Sequence, residues 1–144
     1  SAKKEIIDIL RQRSRPYLFS NSLAPVITST SISVINMLEN SNHLIIQLNE
    51  NTKYFRANIK KIGLTIKDGI HPIVPIMIGD AKIAQKMSED LLKENIYVIG
   101  FFFPVVPKNE ARIRVQISAT HTKEQLDHAI CSFEKIGKKL HLIK

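Results

Sequence analysis

A stretch near the carboxyl end of the chain has the residue types and spacing best suited to binding a substrate. Residues 111–118, with the sequence ARIRVQIS, alternate between apolar and polar side chains, which is typical of a half-buried strand. Because successive side chains of a strand point to opposite faces, we expect Arg112, Arg114, Gln116 and Ser118 on one face. An arginine binds a carboxylate through two parallel hydrogen bonds, which add orientation to charge attraction. The spacing therefore predicts an anion-binding face.

The same face has a structural interpretation that the spacing leaves open, since either arginine could pair with Glu110 or Asp127 or simply face water. Other reactive residue types are weaker candidates. No cluster of histidine, cysteine, aspartate or glutamate has metal-ligand spacing, and no nucleophile is matched with a base. We therefore predict no metal site and no catalytic residue within this chain. Cys131 belongs to a helical apolar pattern and is predicted to pack in the core.

The first half of the chain reads as helices. An amphipathic helix is predicted over residues 2–15, because its apolar residues share one face and Pro16 cannot continue the helix. Residues 15–22 are predicted to form an extended crossing. A long helix capped by Asn21 or Ser22 comes next. A further helix runs from Ser41 to a stop at Gly63.

In the second half of the chain the period changes to that of strands. Asp80 is a helix cap, and Thr122 with Gln125 forms a capping-box pair that begins the last helix. The predicted strands are residues 64–66, 72–78, 96–103 and 111–118. Helices followed by strands with interspersed helices indicate the α+β class, a small and mostly antiparallel sheet covered by helices.

The chain is basic, with a formal net charge of +8 at pH 7. Basic surfaces attract nucleic acid, anionic lipid or acidic substrates. The lysines and arginines are scattered, with none between Pro16 and Thr52, which is typical of solvated helix faces. No apolar run approaches the roughly 20 residues of a membrane span, and a single cysteine excludes an internal disulfide, so a cytoplasmic location is expected. A stand-alone α+β module that binds nucleic acid is an open alternative.

Three strings make the chain resemble a known family. They are RPYLFSNSLAP at residues 15–25, GDAKIAQKM at residues 79–87 and IYVIGFFFPVVPKNEARIRVQISATHT at residues 96–122. Together they resemble the carboxy-terminal region of the α-oxoamine synthases, a pyridoxal-phosphate family with the type I, aminotransferase-like fold. The resemblance covers essentially the whole chain, in order and without large gaps.

The resemblance implies an acyltransferase that acts on an amino acid and an acyl-coenzyme A. The SNSLAP string favours the member that condenses glycine with acetyl-coenzyme A to 2-amino-3-oxobutanoate and coenzyme A, and a relative with a different acyl-coenzyme A is the alternative. In such enzymes the second arginine of the RIR string, here Arg114, holds the substrate carboxylate. Ser20 and Asn21 are implied to lie near the pyridoxal phosphate of the other subunit. A homodimer is therefore expected, with no nucleic-acid or membrane partner.

The resemblance also divides the chain and predicts what lies outside it. Residues 1–21 would be the tail of the large domain and a crossing segment, residues 22–62 linking helices, and residues 63–144 the small carboxy-terminal α+β domain. The cofactor lysine of the family would lie upstream, so these 144 residues alone are expected to be inactive and not to hold the cofactor covalently. A stand-alone dimerisation or regulatory module of the same fold is the alternative. Asn109 stands where the family usually has glycine, and asparagine tolerates the positive φ of such a turn.

Overall fold

A computed structural model describes residues 2–20 and 22–144, and the chain divides into two compact units, Ser1–Ser41 and Asn42–Lys144. The first unit consists of helices. They are α1 (Lys4–Arg13), α2 (Arg15–Phe19) and α3 (Pro25–Asn40). In the described part of the chain none of these three helices buries a residue.

The extended crossing predicted over residues 15–22 is wrong for its first part, because that part forms α2. Pro16 lies in the first turn of this helix. A proline is tolerated there because the first turn has no intrahelical partner for its missing N–H, and because its fixed φ suits helical backbone. Pro16 is therefore compatible with α2, which begins one residue before it.

The start of α3 follows the same rule. Pro25 begins the helix after Ala24, whose side chain makes no capping hydrogen bond. Ser22 is therefore not its cap, and the prediction for Asn21 lies outside the described residues.

The second unit is a three-stranded sheet packed by helices. Its elements are α4 (His43–Lys61), β1 (Ile73–Gly79), α5 (Ala81–Lys93), β2 (Ile99–Phe101), β3 (Ala111–Gln116) and α6 (Lys123–Lys139). The strands lie in the order β1-β3-β2, and both neighbouring pairs are antiparallel. This arrangement confirms the predicted α+β class and makes β3 the central strand.

Three predicted strands are shorter in the structure. The strand predicted over residues 111–118 ends at Gln116. Of residues 64–66, only Ile66 pairs, in an isolated bridge with Ile76 of β1. Of residues 96–103, only three form β2, because the chain leaves the sheet after Phe101 and turns. β2 lies at the edge of the sheet and pairs with β3 on one side only.

The core of the second unit is built from α4, α5, α6, β1 and β3. Phe55 of α4 and Phe133 of α6 pack edge to face with ring centroids 6.3 Å apart. Ile76, Met87 and Ile113 are fully buried around them. Among the residues that the structure describes, none of the helices combines the length and the apolar character that a bilayer crossing requires.

Both predicted helix caps in this unit are confirmed. The Asp80 side chain accepts a hydrogen bond of 2.9 Å from the backbone N–H of Ile83, at the start of α5. Thr122 and Gln125 form the reciprocal capping box of α6, in which each side chain accepts from the other residue's backbone N–H.

The prediction that Cys131 packs in the core is wrong, because this side chain is exposed. Its neighbour Ile130 is buried, but successive residues of a helix lie about 100° apart around the axis. Cys131 therefore shares a face with the exposed His128 and Lys135. Adjacency to an apolar residue did not identify the buried face.

Candidate carboxylate-binding site

The predicted alternation along β3 is confirmed. Ile113 and Val115 are buried, together with Ile117 just beyond the strand, whereas Arg114 and Gln116 are exposed. The buried side chains belong to the core under the helices. The polar side chains therefore occupy the opposite, outer face of the sheet.

Arg112, the first arginine of the pair, is occupied by a neighbouring carboxylate. Its Nη2 lies 2.7 Å from Oε2 of Glu110, and its Nε donates to the Glu110 carbonyl oxygen at 3.0 Å. Only 16% of the Arg112 side chain is exposed. The structural interpretation of the face is therefore correct for this arginine.

Asp127, the other carboxylate considered as an arginine partner, is engaged elsewhere. The Tyr54 hydroxyl donates a hydrogen bond to one carboxylate oxygen, and Nζ of Lys123 lies 2.9 Å from the other. These two donors hold the pKa of Asp127 below its ordinary value. Asp127 thus joins α4 to α6 and leaves Arg114 without this partner.

Arg114 is exposed, and its neighbours on the adjoining strands are apolar or aromatic. Pro75 of β1 and Ile99 of β2 are its cross-strand neighbours. Its Cζ lies 4.2 Å from the centroid of the Phe101 ring. Within the part of the chain that the structure describes, the Arg114 side chain forms no hydrogen bond and no ion pair. Its N–H donors are therefore open to an anion.

A groove of about 500 Å³ lies beside Arg114, between the edge of the sheet and α6. Phe55, Ile117 and Leu126 give its apolar floor, and Gln116 and His121 give polar groups. Nδ1 of His121 accepts a hydrogen bond from the Ser118 backbone N–H at 3.1 Å, so in the neutral ring Nε2 carries the proton. The groove therefore combines an apolar floor with hydrogen-bond donors, as small-molecule sites do.

The other predicted site residues lie in the first unit. Ser20 is exposed and follows the last residue of α2, where its backbone N–H donates to the Pro16 carbonyl oxygen at 3.1 Å. Its hydroxyl has no partner among the residues described. Asn21 lies outside the described residues. The assignment of both to the cofactor stays a prediction.

The turn before β3 has the backbone that the sequence requires. Asn109 has φ of 64°, in the left-handed region where glycine is favoured. Its tolerance of this conformation is therefore confirmed.

Phe101 is the site residue that sequence reasoning missed. Phe101 is the first of three consecutive phenylalanines, residues 101–103. In a strand, only the first and third of these side chains lie on the same face. The sequence indicated that Phe101 lies in a strand, but not that it contacts Arg114, because that contact depends on the pairing of β2 with β3. Phe101 stands opposite Arg112 and Ile99 opposite Arg114, so Phe101 and Arg114 are diagonal neighbours on one face.

The structure is a small antiparallel sheet covered by helices, with an exposed arginine on its central strand whose donors are open to a carboxylate. The family model described as aminotransferase class I and II matches residues 1–133 of the chain. The chain therefore belongs to the aminotransferase class I and II family.

Curated relatives carry more particular names. A 2-amino-3-ketobutyrate coenzyme A ligase of Escherichia coli (strain K12) is 52% identical over 143 residues, covering 99% of this chain and 36% of the relative. The mitochondrial enzyme of the same name from Mus musculus is 45% identical, covering 92% and 32%. An 8-amino-7-oxononanoate synthase of Thermosipho melanesiensis is 44% identical, covering 99% and 37%. The chain thus spans about a third of the length of the curated relatives it matches.

Solved structures with the same fold include those of another enzyme, serine palmitoyltransferase. Serine palmitoyltransferase from S. paucimobilis, with bound PLP-myriocin aldimine, superposes with a TM-score of 0.84 at 26% identity, covering 94% of this chain and 35% of that one. A second structure of SPT with PLP gives a TM-score of 0.86 at 25% identity, covering 99% and 36%. The predicted resemblance to the carboxy-terminal part of pyridoxal-phosphate acyltransferases is confirmed.

Proposed function

We propose that the whole protein condenses glycine with acetyl-coenzyme A to 2-amino-3-oxobutanoate and coenzyme A, and that Arg114 holds the glycine carboxylate. Arg114 supports this proposal most directly. It is an exposed guanidinium on the sheet, free of any carboxylate partner among the described residues, whereas Arg112 two positions earlier is paired with Glu110. The Escherichia coli and mouse relatives, at 52% and 45% identity, are named after the product of the glycine reaction, which favours it over the reaction of the 8-amino-7-oxononanoate synthase at 44% identity.

Pyridoxal phosphate, which the solved relatives bind, suits the residues of this chain. The open donors of Arg114 match the carboxylate of an amino acid substrate, and the exposed hydroxyl of Ser20 matches a phosphate oxygen. When bound, the cofactor supplies the electron sink for the reacting carbon of the amino acid. We assign Ser20 and Asn21 to the cofactor phosphate of the partner subunit, which makes a homodimer part of the proposal.

Arg114 acts on the substrate by binding and orientation. Two parallel N–H donors from one guanidinium fix a carboxylate in a plane, so glycine is held in one orientation. Pro75, Ile99 and Phe101 are apolar or aromatic neighbours that offer the carboxylate no competing partner. Because glycine is held in this orientation, the barrier of the reaction at the neighbouring carbon is lower.

The division of the chain predicted from the resemblance is part of the same proposal. Residues 1–21 belong to the tail of the large domain and a crossing segment, residues 22–62 to linking helices, and residues 63–144 to the small domain. A cytoplasmic location is part of the proposal, since the name of the Escherichia coli relative gives no organelle, whereas the mouse relative is named mitochondrial.

The decisive experiment compares arginine variants in the full-length protein. We expect Arg114→Ala to lower kcat/KM for glycine by about a hundredfold or more, because each hydrogen bond to a charged group contributes about 1.5–3 kcal/mol. The KM for acetyl-coenzyme A should stay within about threefold of the original, since Arg114 is assigned to the other substrate. Release of free coenzyme A, followed with a thiol reagent, reports the rate.

Arg112→Ala is the matched control, because it removes an arginine of the same strand and face whose partner is Glu110. Its effect on the KM for glycine should be small. If Arg114→Ala leaves the KM and kcat for glycine unchanged, the assignment of Arg114 is wrong. If the full-length protein releases no coenzyme A with glycine but does so with another amino acid, the proposed substrate is wrong.

A further inference from the structure

We propose that Phe101 is a positioning residue that holds the Arg114 guanidinium ready for a carboxylate. This inference rests on the proposed function of Arg114 and deepens it. Cζ of Arg114 lies 4.2 Å from the centroid of the Phe101 ring, well inside the range of roughly 6 Å over which an aromatic face attracts a cation.

The pairing of the strands places the two side chains together. Phe101 of β2 stands opposite Arg112, and Ile99 stands opposite Arg114, so Phe101 is the diagonal neighbour of Arg114 on the outer face. Diagonal neighbours in a sheet are within reach of aromatic and long side chains. The ring itself is half-buried, so the sheet limits its movement.

The type of contact matters, because it leaves the donors of the arginine unused. A carboxylate beside an arginine accepts its N–H hydrogen bonds, as Glu110 does with Arg112 at 2.7 Å. An aromatic face attracts the cationic charge and accepts no in-plane hydrogen bond, so the donors at the edge of the guanidinium stay available. The two arginines of the RIR string thus differ in partner, and only Arg114 keeps its donors open.

The two residues directly across from Arg114 offer it no hydrogen bond. Pro75 and Ile99 flank it from β1 and β2, and neither carries a side-chain hydrogen-bonding group. A long side chain without a fixed partner samples many rotamers and loses that freedom when it binds a ligand. The Phe101 ring reduces this loss before the substrate arrives.

The test uses the full-length protein with its cofactor and compares Phe101→Leu with Phe101→Tyr. Leucine keeps an apolar contact and removes the aromatic face, whereas tyrosine keeps the face. Glycine binding without acetyl-coenzyme A is measured by calorimetry, and KM and kcat are measured with it. For Phe101→Leu we expect the Kd and KM for glycine to rise about threefold to tenfold, with kcat within about twofold of the original. Phe101→Tyr should restore glycine binding to within about twofold.

Phe103→Leu is the matched control, since Phe103 belongs to the same run and its ring contacts Lys108 at 5.3 Å instead. It should leave the Kd for glycine unchanged. In an Arg114→Ala background, Phe101→Leu should have no further effect on that Kd, because the ring acts only through the arginine. Thermal melting of each variant reports whether it is folded.

The outcomes separate the two proposals. If Arg114→Ala weakens glycine binding and Phe101→Leu does not, the role of Phe101 is wrong and that of Arg114 stands. If Phe101→Leu is equally harmful with and without Arg114, the ring acts on the substrate or the fold directly and the inference is overturned. If Arg114→Ala itself leaves the Kd for glycine unchanged, both proposals fail together.

Discussion

Nζ of Lys139 lies 2.8 Å from Oδ2 of Asp90, and this contact joins α6 to α5. The other carboxylate oxygen of Asp90 is 2.9 Å from Nζ of Lys93 and 3.5 Å from Nζ of Lys86. Only 5% of the Asp90 side chain is exposed. The hydrogen bonds from Lys139 and Lys93 hold the pKa of Asp90 far below its ordinary range. A buried carboxylate with three cationic neighbours therefore links the two helices.

The free energy of unfolding should depend on pH through Asp90. Its pKa is lower in the folded chain than the roughly 3.9 of an unfolded aspartate, so its contribution is complete above that value and is lost as the pH falls towards the folded pKa. Asp90→Asn should lower stability at pH 7 and flatten the decrease between about pH 5 and pH 2. Urea unfolding over that range measures both effects. Asp68→Asn is the control, because the Asp68 side chain is 90% exposed and its pair with Lys60 is screened by water.

A buried asparagine fastens α4 to the loop after β3. Nδ2 of Asn51 donates to the carbonyl oxygens of Ser118 at 3.0 Å and of His121 at 2.9 Å. Asn51→Ala removes both donors, so we expect a loss of about 1–3 kcal/mol in the free energy of unfolding. Asn58→Ala is the matched control, since the Asn58 side chain bonds, among the described residues, only a carbonyl oxygen of its own helix. Equal losses for the two variants would contradict the assigned role of Asn51.

The alternation on β3 and the caps of α5 and α6 were predictable because they are local. Arg114 and Ile113 differ by one position and fall on opposite faces whatever the rest of the chain does. Thr122 and Gln125 likewise interact across one turn of the same helix. Such features follow from spacing alone, and the structure confirms them.

Contacts between strands were not predictable, because they depend on register. The partner of Arg112 is Glu110 on its own chain segment, which the sequence suggested, but the partner of Arg114 is Phe101 on another strand. The prediction that Cys131 is buried was wrong for a different reason. The buried face of α6 is set by the neighbours it packs on, and adjacency to Ile130 alone does not place a side chain on that face.

Substitutions at Asn109 test the backbone conformation of the turn before β3. Its φ of 64° disfavours residues with a Cβ and no polar side chain, so Asn109→Ala should reduce the free energy of unfolding by about 1 kcal/mol. Asn109→Gly should change it by less than about 0.5 kcal/mol, since glycine adopts this φ without strain. Asn49→Ala is the control, because Asn49 is an exposed residue inside α4 where alanine is the better helix former. A neutral Asn109→Ala would mean that the turn can relax.

The capping box of α6 should behave as one unit. The Gln125 backbone N–H donates to Oγ1 of Thr122 at 3.3 Å, and the Thr122 backbone N–H donates to Oε1 of Gln125 at 3.0 Å. Thr122→Ala should cost about 1 kcal/mol, because it leaves a donor of the first turn without a partner. Gln125→Ala should cost less, since the threonine cap is kept. If the two bonds support each other, the double variant loses less than the sum of the single losses; strict additivity in urea unfolding would show that each bond acts alone.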